Sequence, residues 1–317
     1  MDSAALSSKK YSSTRASGLR IIKNFKRELP LHIMLLPGVI ITVIFSYGPM
    51  YGLIMAFQDF SPTLGIGRSP WNGLDNFRWI FGQPAFVRTI YNTLFISVLK
   101  IVLTMAASVI FSLLLNEIRN IFFKRVFQTI VYIPHFISWV VFAGILRTLL
   151  ASNGILNQAL VGMGFDSVAF LTSPSIFPWT MIWTDVWKSF GFGTVVYLAA
   201  ITSIDPELYE SAVLDGAGRL KQALYITLPM LGPIIVLMLT LALGSVLSAG
   251  FDQIVNLYQP VVFSTGDIID TYIFRLGLQQ GAFAVGAAVG LFRSVVALVL
   301  MSVSLYTAYK IAGYKIF

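Results

Sequence analysis

Six apolar stretches, at 31–57, 89–115, 126–150, 176–202, 231–251 and 283–310, alternate along this chain with short polar connections. Each reaches the roughly 20 residues an α-helix needs to cross the hydrocarbon core of a bilayer. The pattern predicts an all-α polytopic membrane protein with about six transmembrane helices over residues 31–310. Residues 1–30 are polar, basic and rich in serine. They are expected to form a partly disordered tail without a cleaved signal peptide, because the first apolar run is too long for one. Residues 311–317 form a second short tail.

The basic residues orient this pattern. The tail holds Lys9, Lys10, Arg15, Arg20, Lys23, Lys26 and Arg27; Arg119, Lys124 and Arg125 follow the second stretch, Arg219 and Lys221 the fourth, and Lys310 and Lys315 close the chain. The alternate connections hold Arg68, Arg78, Arg88 and Arg275. Lys and Arg collect on the cytoplasmic side of membrane proteins, so both termini and the connection 203–230 are expected in the cytoplasm. Composition agrees, since 56% apolar and 11% charged residues with a mean hydropathy of +0.79 exclude an ordinary soluble domain. The net charge of +8 lies beside the spans rather than on a solvated domain, which speaks against a nucleic-acid partner. With no cysteine, the chain has no disulfide framework, thiolate zinc site or thiol nucleophile.

Small residues mark close helix approaches: Ala282, Gly286 and Gly290 are four apart, and Gly244 and Ser248 likewise. Pro37, Pro49, Pro134 and Pro178 lie near span ends or can kink the helices. In the outer connections, Trp71 and its neighbours read as interfacial anchors, with docking of an external protein as the rival reading. Ile268, Ile269, Tyr272, Ile273 and Leu276 form an apolar stripe expected to lie along the membrane surface.

The most distinctive segment is polar and lies between the fourth and fifth stretches. Asp205 can cap a short helix, Pro206 suits its first position, and Glu207 favours the positive end of its dipole. Gly216 permits a left-handed stop. A second short helix over 219–227 would expose Leu220 and Leu224, and Leu228-Pro229 would launch the next span. Two such helices make a rigid knob suited to a groove on a soluble partner.

Glu210-Ser211-Ala212, Asp215-Gly216-Ala217 and Leu228-Pro229 together resemble the EAA loop of bacterial ABC importer permeases, with Ser211 in place of the first alanine. The likeness continues through Tyr51-Gly52-Leu53, Trp187-Lys188-Ser189-Phe190-Gly191 and Thr265-Gly266-Asp267. It is similar there to the branch that imports complex oligosaccharides, including LplB-type proteins and the first permease of alginate importers. Leu305-Tyr306-Thr307 departs from that branch. The resemblance implies a type I importer permease fold in the bacterial inner membrane, with Glu210, Ser211, Ala212, Asp215, Gly216, Ala217, Leu228 and Pro229 coupling it to an ATPase. It further implies a second homologous permease, two cytoplasmic ATP-binding subunits, an extracytoplasmic solute-binding protein, membrane lipid, and a saccharide moved by alternating access. ATP and Mg would sit on the partner subunits, with no cofactor in this chain, which contains no Gly-Lys-Ser/Thr phosphate loop.

Lys100, Asp185, Lys188 and Arg293 fall inside predicted spans, and Arg147 near an outer end; ionisable groups there default to functional candidates. Each has a bland alternative: Asp185 and Lys188 can pair on one helix face, and Arg147 can snorkel. A sugar path needs stacking faces and hydrogen-bonding groups, for which the candidates are Asn92, Gln128, Trp139, Trp183, Trp187, Lys188, Tyr197 and Arg293. The excess of basic groups at depth is compatible with an anionic saccharide such as an alginate oligomer. A stand-alone secondary transporter or channel for a polar solute is the alternative, and it would need no knob. A membrane enzyme has the least support: His32 and His135 lie in different spans, and no catalytic residue or metal site is indicated.

Overall fold

A computed structural model gives the structure, which describes residues 13–312. The expectations for residues 1–12 and 313–317 lie outside those described. The chain divides into two compact units, residues 1–54 and 55–317.

In the first unit, α1 (Ser13–Thr42) runs into a π-helical turn (Val43–Tyr47) and a 3-10 segment that begins at Gly48. Residues 13–30 are thus helical, where the polar composition suggested an irregular tail. Pro30 and Pro37 lie within α1. The helical stretch Glu28–Phe57 is long and apolar enough to span a bilayer.

The second unit is mostly helical; among its described residues the extended pairing is an isolated antiparallel bridge, Gln58 with Trp71. Its elements are α2 (Asp75–Phe81), α3 (Pro84–Glu117), α4 (Ile121–Phe136), α5 (Trp139–Leu149), α6 (Ile155–Gly162) and α7 (Phe177–Thr202). The short α8 (Pro206–Leu214) and α9 (Arg219–Gln222) come next, and a π-helical turn (Ala223–Thr227) leads into α10 (Leu228–Leu243). Then follow α11 (Phe251–Leu257), α12 (Phe263–Gly266), α13 (Ile269–Ile273), a π-helical turn (Phe274–Gln279) and α14 (Phe283–Ala312).

Pro84–Glu117, Arg219–Leu243 and Phe283–Tyr306 also satisfy the length and apolarity of a span. α7 has 26 residues, enough to cross at about 1.5 Å per residue, but carries Asp185 and Lys188 in its middle. The expected third span is not one straight helix: α4 and α5 meet at an angle of 104°. The cause is local. Pro134 removes a donor from the last turn of α4, and Ser138 restarts the helix by accepting from Val141 N at 3.4 Å. The expected fifth span likewise ends early, at Leu243, and Gly250, at φ +93°, precedes the new helix α11.

α3 and α7 form the centre. Lipid tails are as apolar as leucine, so helices in a bilayer associate through close packing and interhelical hydrogen bonds. Gly191 of α7 is set so tightly against α4 that a Cβ there would overlap the Val131 carbonyl, and one on Gly193 would overlap Ser108 of α3. Ile96, Phe142, Phe177, Met181, Ile182 and Ile254 fill the buried core around this seam.

The stripe on α13 corrects an expectation. Ile268 and Ile269 are completely buried and Tyr272 nearly so; Ile269 and Tyr272 pack with Phe86, Ala288 and Val289, and Ile268 in the core around α3 and α7, rather than along a membrane surface. Behind it, Gly277 and Gly286 approach until a Cβ on Gly286 would stand 3.0 Å from the Gly277 Cα. Gly286 is therefore a packing glycine, whereas a Cβ on Gly290 would meet nothing within 4 Å.

Candidate functional site

The polar knob is built as its sequence dictates. Glu207 N donates to Asp205 Oδ1 at 3.0 Å, capping α8, and Pro206 occupies the first turn. The helix stops at Asp215; Gly216, at φ +75°, turns the chain, and Ala217 N closes back on Ala212 O at 2.8 Å. Gln222 Nε2 braces the turn through Ala217 O at 2.8 Å. Leu214 is 89% exposed, Leu220 74% and Tyr225 78%, and Val213 and Leu224 are also open. Glu210, Ser211, Asp215, Gly216 and Pro229 are exposed, while Ala212, Ala217 and Leu228 are half-buried. Where a second helix was expected to end before Leu228-Pro229, one helical body instead runs over Arg219–Leu243, and the π-helical turn Ala223–Thr227 stands directly before Pro229, which lacks the donor of a regular α-helical bond. The knob is thus the end of a span.

A second polar region lies inside the bundle. Lys100 of α3 stands 3.7 Å from Asp185 of α7, donates to Ala249 O at 2.7 Å and also to Gln253 Oε1. Gln253, fully buried, turns its amide to Met181 O and Thr184 Oγ1, both at 2.8 Å. None of the buried side-chain polar atoms of Lys100, Thr184 and Gln253 is left without a partner, as buried groups require. Beside it opens a cavity of about 280 Å³ lined by Ser97, Thr104, Ser108, Tyr197, Ser245 and Ser248 among others. Thr104 Oγ1 is buried there without a protein partner. The arrangement can hold a hydroxyl-rich solute.

Asp185 therefore pairs across helices, and not with Lys188 on its own helix as the spacing suggested. Lys188 Nζ instead donates to Pro134 O at 3.0 Å and His135 O at 2.8 Å, the carbonyls at the α4–α5 bend, and lies 5.3 Å from the Trp139 ring centre. Phe142 connects this group to Trp187 at 5.1 Å. Trp183 and Trp187 also line a wholly different space, a cavity of about 430 Å³ walled by Leu146, Leu150 and Trp179. Gln128 is half-buried on α4.

Two path candidates are placed elsewhere. Asn92 donates to Ser264 O at 3.3 Å and Asp267 O at 3.1 Å, and Ile269 N donates to Thr93 Oγ1 at 2.9 Å. These bonds hold the connection between α10 and α14 against α3. Arg293 pairs with Asp270 and reaches Ser248 Oγ. Arg147 donates to Asn256 O. In the same connection, burial pushes the Asp267 carboxyl up from its ordinary range, opposed by Thr271 and by Arg275, with which it pairs. Burial also raises Asp270, opposed by Arg293. Seven of the eight path candidates thus divide among the 280 Å³ cavity, the bend, the apolar cavity and this connection, and Gln128 lies apart on α4.

Sequence reasoning missed Gln253, Thr104 and the pair Tyr209–Thr227. A signal for the cavity wall was present: Thr89, Thr93, Ser97, Lys100, Thr104, Ser108 and Ser112 recur every three or four residues, one face of α3. Among the described residues, no group of three or more His, Asp or Glu could hold a metal ion.

Over residues 104–312 the chain matches the family described as binding-protein-dependent transport system inner membrane component. Protein LplB of Bacillus subtilis (strain 168) is 37% identical over 298 residues, covering 94% of each chain. The polygalacturonan/rhamnogalacturonan transport system permease protein YteP of the same strain is 39% identical, covering 89% of this chain and 88% of that protein. A chain in the crystal structure of a bacterial ABC transporter involved in import of the acidic polysaccharide alginate superposes with a TM-score of 0.85 at 42% identity, covering 92% of this chain and 99% of that one. A chain in the crystal structure of a bacterial alginate ABC transporter in complex with an alginate pentasaccharide-bound periplasmic protein gives 0.84 at 42% identity, covering 92% of this chain and 98% of that one.

Proposed function

This chain belongs to the family of binding-protein-dependent transport system inner membrane components, and from that premise we propose that it is one permease of an ATP-driven importer of acidic oligosaccharides. It pairs with a second homologous permease, two cytoplasmic ATP-binding subunits and an extracytoplasmic solute-binding protein. ATP and Mg act on the ATP-binding subunits, and this chain contributes no catalytic group. Both termini and the knob face the cytoplasm, an orientation that the Lys and Arg bias supports.

The observation that carries this reading is the knob. Leu214, Leu220 and Tyr225 are large apolar side chains held out on a capped, braced pair of helices continuous with a span. A re-entry loop would not carry such a patch, and rigid apolar anchors are what a partner's groove takes up. A transporter working alone would have no use for it.

The substrate class is supported by the named cargoes of two relatives, polygalacturonan/rhamnogalacturonan and alginate, polymers rich in uronate carboxylates. On this chain, Lys188 supports it: Lys100 and Arg293 stand in ion pairs with Asp185 and Asp270, whereas Lys188 is held by the Pro134 and His135 carbonyls beside the Trp139 ring. A cation with a neighbouring indole face suits a uronate ring.

The test is purification of the tagged chain from its membrane, identification of the accompanying subunits, and uptake into proteoliposomes of oligogalacturonate and alginate oligomers against neutral malto-oligosaccharides. ATP-dependent uptake of the uronates, lost with the ATPase in a Gly216→Val variant, is the expected result. A chain that purifies alone and transports without ATP would overturn the importer, and a preference for the neutral sugars would overturn the substrate class.

A further inference from the structure

A docking knob transmits force only if its helices move together with the span behind them. α9 passes without a break through the π-helical turn Ala223–Thr227 into α10. Such turns are wider than an α-turn, leave backbone groups poorly partnered, and recur at functional sites. Here Thr227, the last residue of the turn and only 3% exposed, donates through Oγ1 to Gln222 O at 3.4 Å. The same hydroxyl lies 2.9 Å from the Tyr209 hydroxyl of α8, 18 residues earlier. One buried oxygen therefore fastens the wide turn and the other knob helix at once.

The turn Asp215–Gly218 between α8 and α9 is braced by Ala217 N on Ala212 O and by Gln222 Nε2 on Ala217 O, but neither bond reaches the π-helical turn. Arg219 meets Glu117 at the end of α3 at 3.2 Å, but this pair is about half exposed and such pairs contribute little in water.

We propose that Thr227 and Tyr209 are positioning residues for coupling: their shared hydrogen bond locks α8 onto the π-helical turn, so that knob displacement reaches α10 as motion of one rigid body. This rests on the knob's role as the ATPase contact. Thr227→Val and Tyr209→Phe each remove one hydroxyl with almost no change of shape, and Thr227→Ser restores the hydroxyl.

Because the chain has no cysteine, Ser245→Cys places a single thiol in the 280 Å³ cavity. The complete importer carrying it is reconstituted in nanodiscs, and its reaction with a membrane-impermeant maleimide is timed without nucleotide and with ATP plus vanadate. With Tyr209 and Thr227 intact, nucleotide is expected to change the rate about fivefold, the scale of one hydrogen bond. In Thr227→Val and in Tyr209→Phe the change should fall below about twofold while the ATPase still co-purifies, and Thr227→Ser should recover it. An equal nucleotide response in all variants, or none in the parent, overturns the proposal. An ATPase absent from the parent preparation instead removes the importer reading on which it stands, so the two failures are distinguishable.

Discussion

Lys100 of α3 and Asp185 of α7 stand 3.7 Å apart between two long helices, with the cation also held by Gln253 and the Ala249 carbonyl. An ion pair of this kind adds little net stability over well-packed apolar groups, yet removing one partner strands the other charge. Asp185→Asn and Lys100→Met should each lower unfolding free energy in detergent by about 3 kcal/mol. The double variant should recover more than half of the summed loss. Additive losses would show that the two groups do not act on each other.

Lys188 occupies the bend between α4 and α5. Lys188→Met keeps the length of the side chain but leaves the Pro134 and His135 carbonyls without their donor, at a cost of about 1–3 kcal/mol. Thermal melting of the assembled importer measures it, and uronate uptake should fall further than stability alone explains. Neutral-sugar uptake unchanged in parallel would separate loss of charge from collapse of the bend.

Gly191 and Gly290 make opposite predictions. Gly191→Ala drives a methyl group into the Val131 carbonyl and should weaken the α4–α7 seam by about 1–3 kcal/mol. Gly290→Ala meets open space and, in a helix, should be neutral or stabilising by up to about 1 kcal/mol. Melting temperatures of the two variants in one detergent decide between packing and mere helix propensity.

Arg275 restrains a carboxylate that burial makes reluctant to ionise. In Arg275→Gln, Asp267 loses its counter-charge and its folded pKa rises further above the unfolded value. A group raised in the folded state stabilises below the unfolded pKa, and that contribution disappears as pH climbs through the folded pKa. Arg275→Gln should therefore destabilise more at pH 8 than at pH 5. Adding Asp267→Asn should flatten the dependence, and a variant equally weakened at both values would assign the loss to Arg275 packing on Phe263 instead.

Spans α3, α7 and α14 and the caps of the knob were legible because they rest on local periodicity, Asp205 before Pro206, and Gly216 after the helix. The bend at α4–α5 was not, since the residues around Pro134 stay apolar through it and hydropathy has no term for direction. The stripe of Ile269 and Tyr272 has the spacing of a surface helix, and only packing on Phe86 and Val289 shows that it faces inward. Gln253 was invisible for a similar reason: its partners Lys100, Met181 and Thr184 lie 69–153 residues away.

The contact of Glu117 with Arg219 also fixes a parity. It places the end of α3 and the start of α9 on the same face of the bilayer, so the chain between them crosses an even number of times. With α7, 26 residues long, as one passage, the bent pair α4–α5 would supply the other as a broken crossing rather than a hairpin that returns to its own side. Leu150 and the residues after it then belong to the opposite face from Arg119, a statement that side-specific labelling at two positions can count as odd or even.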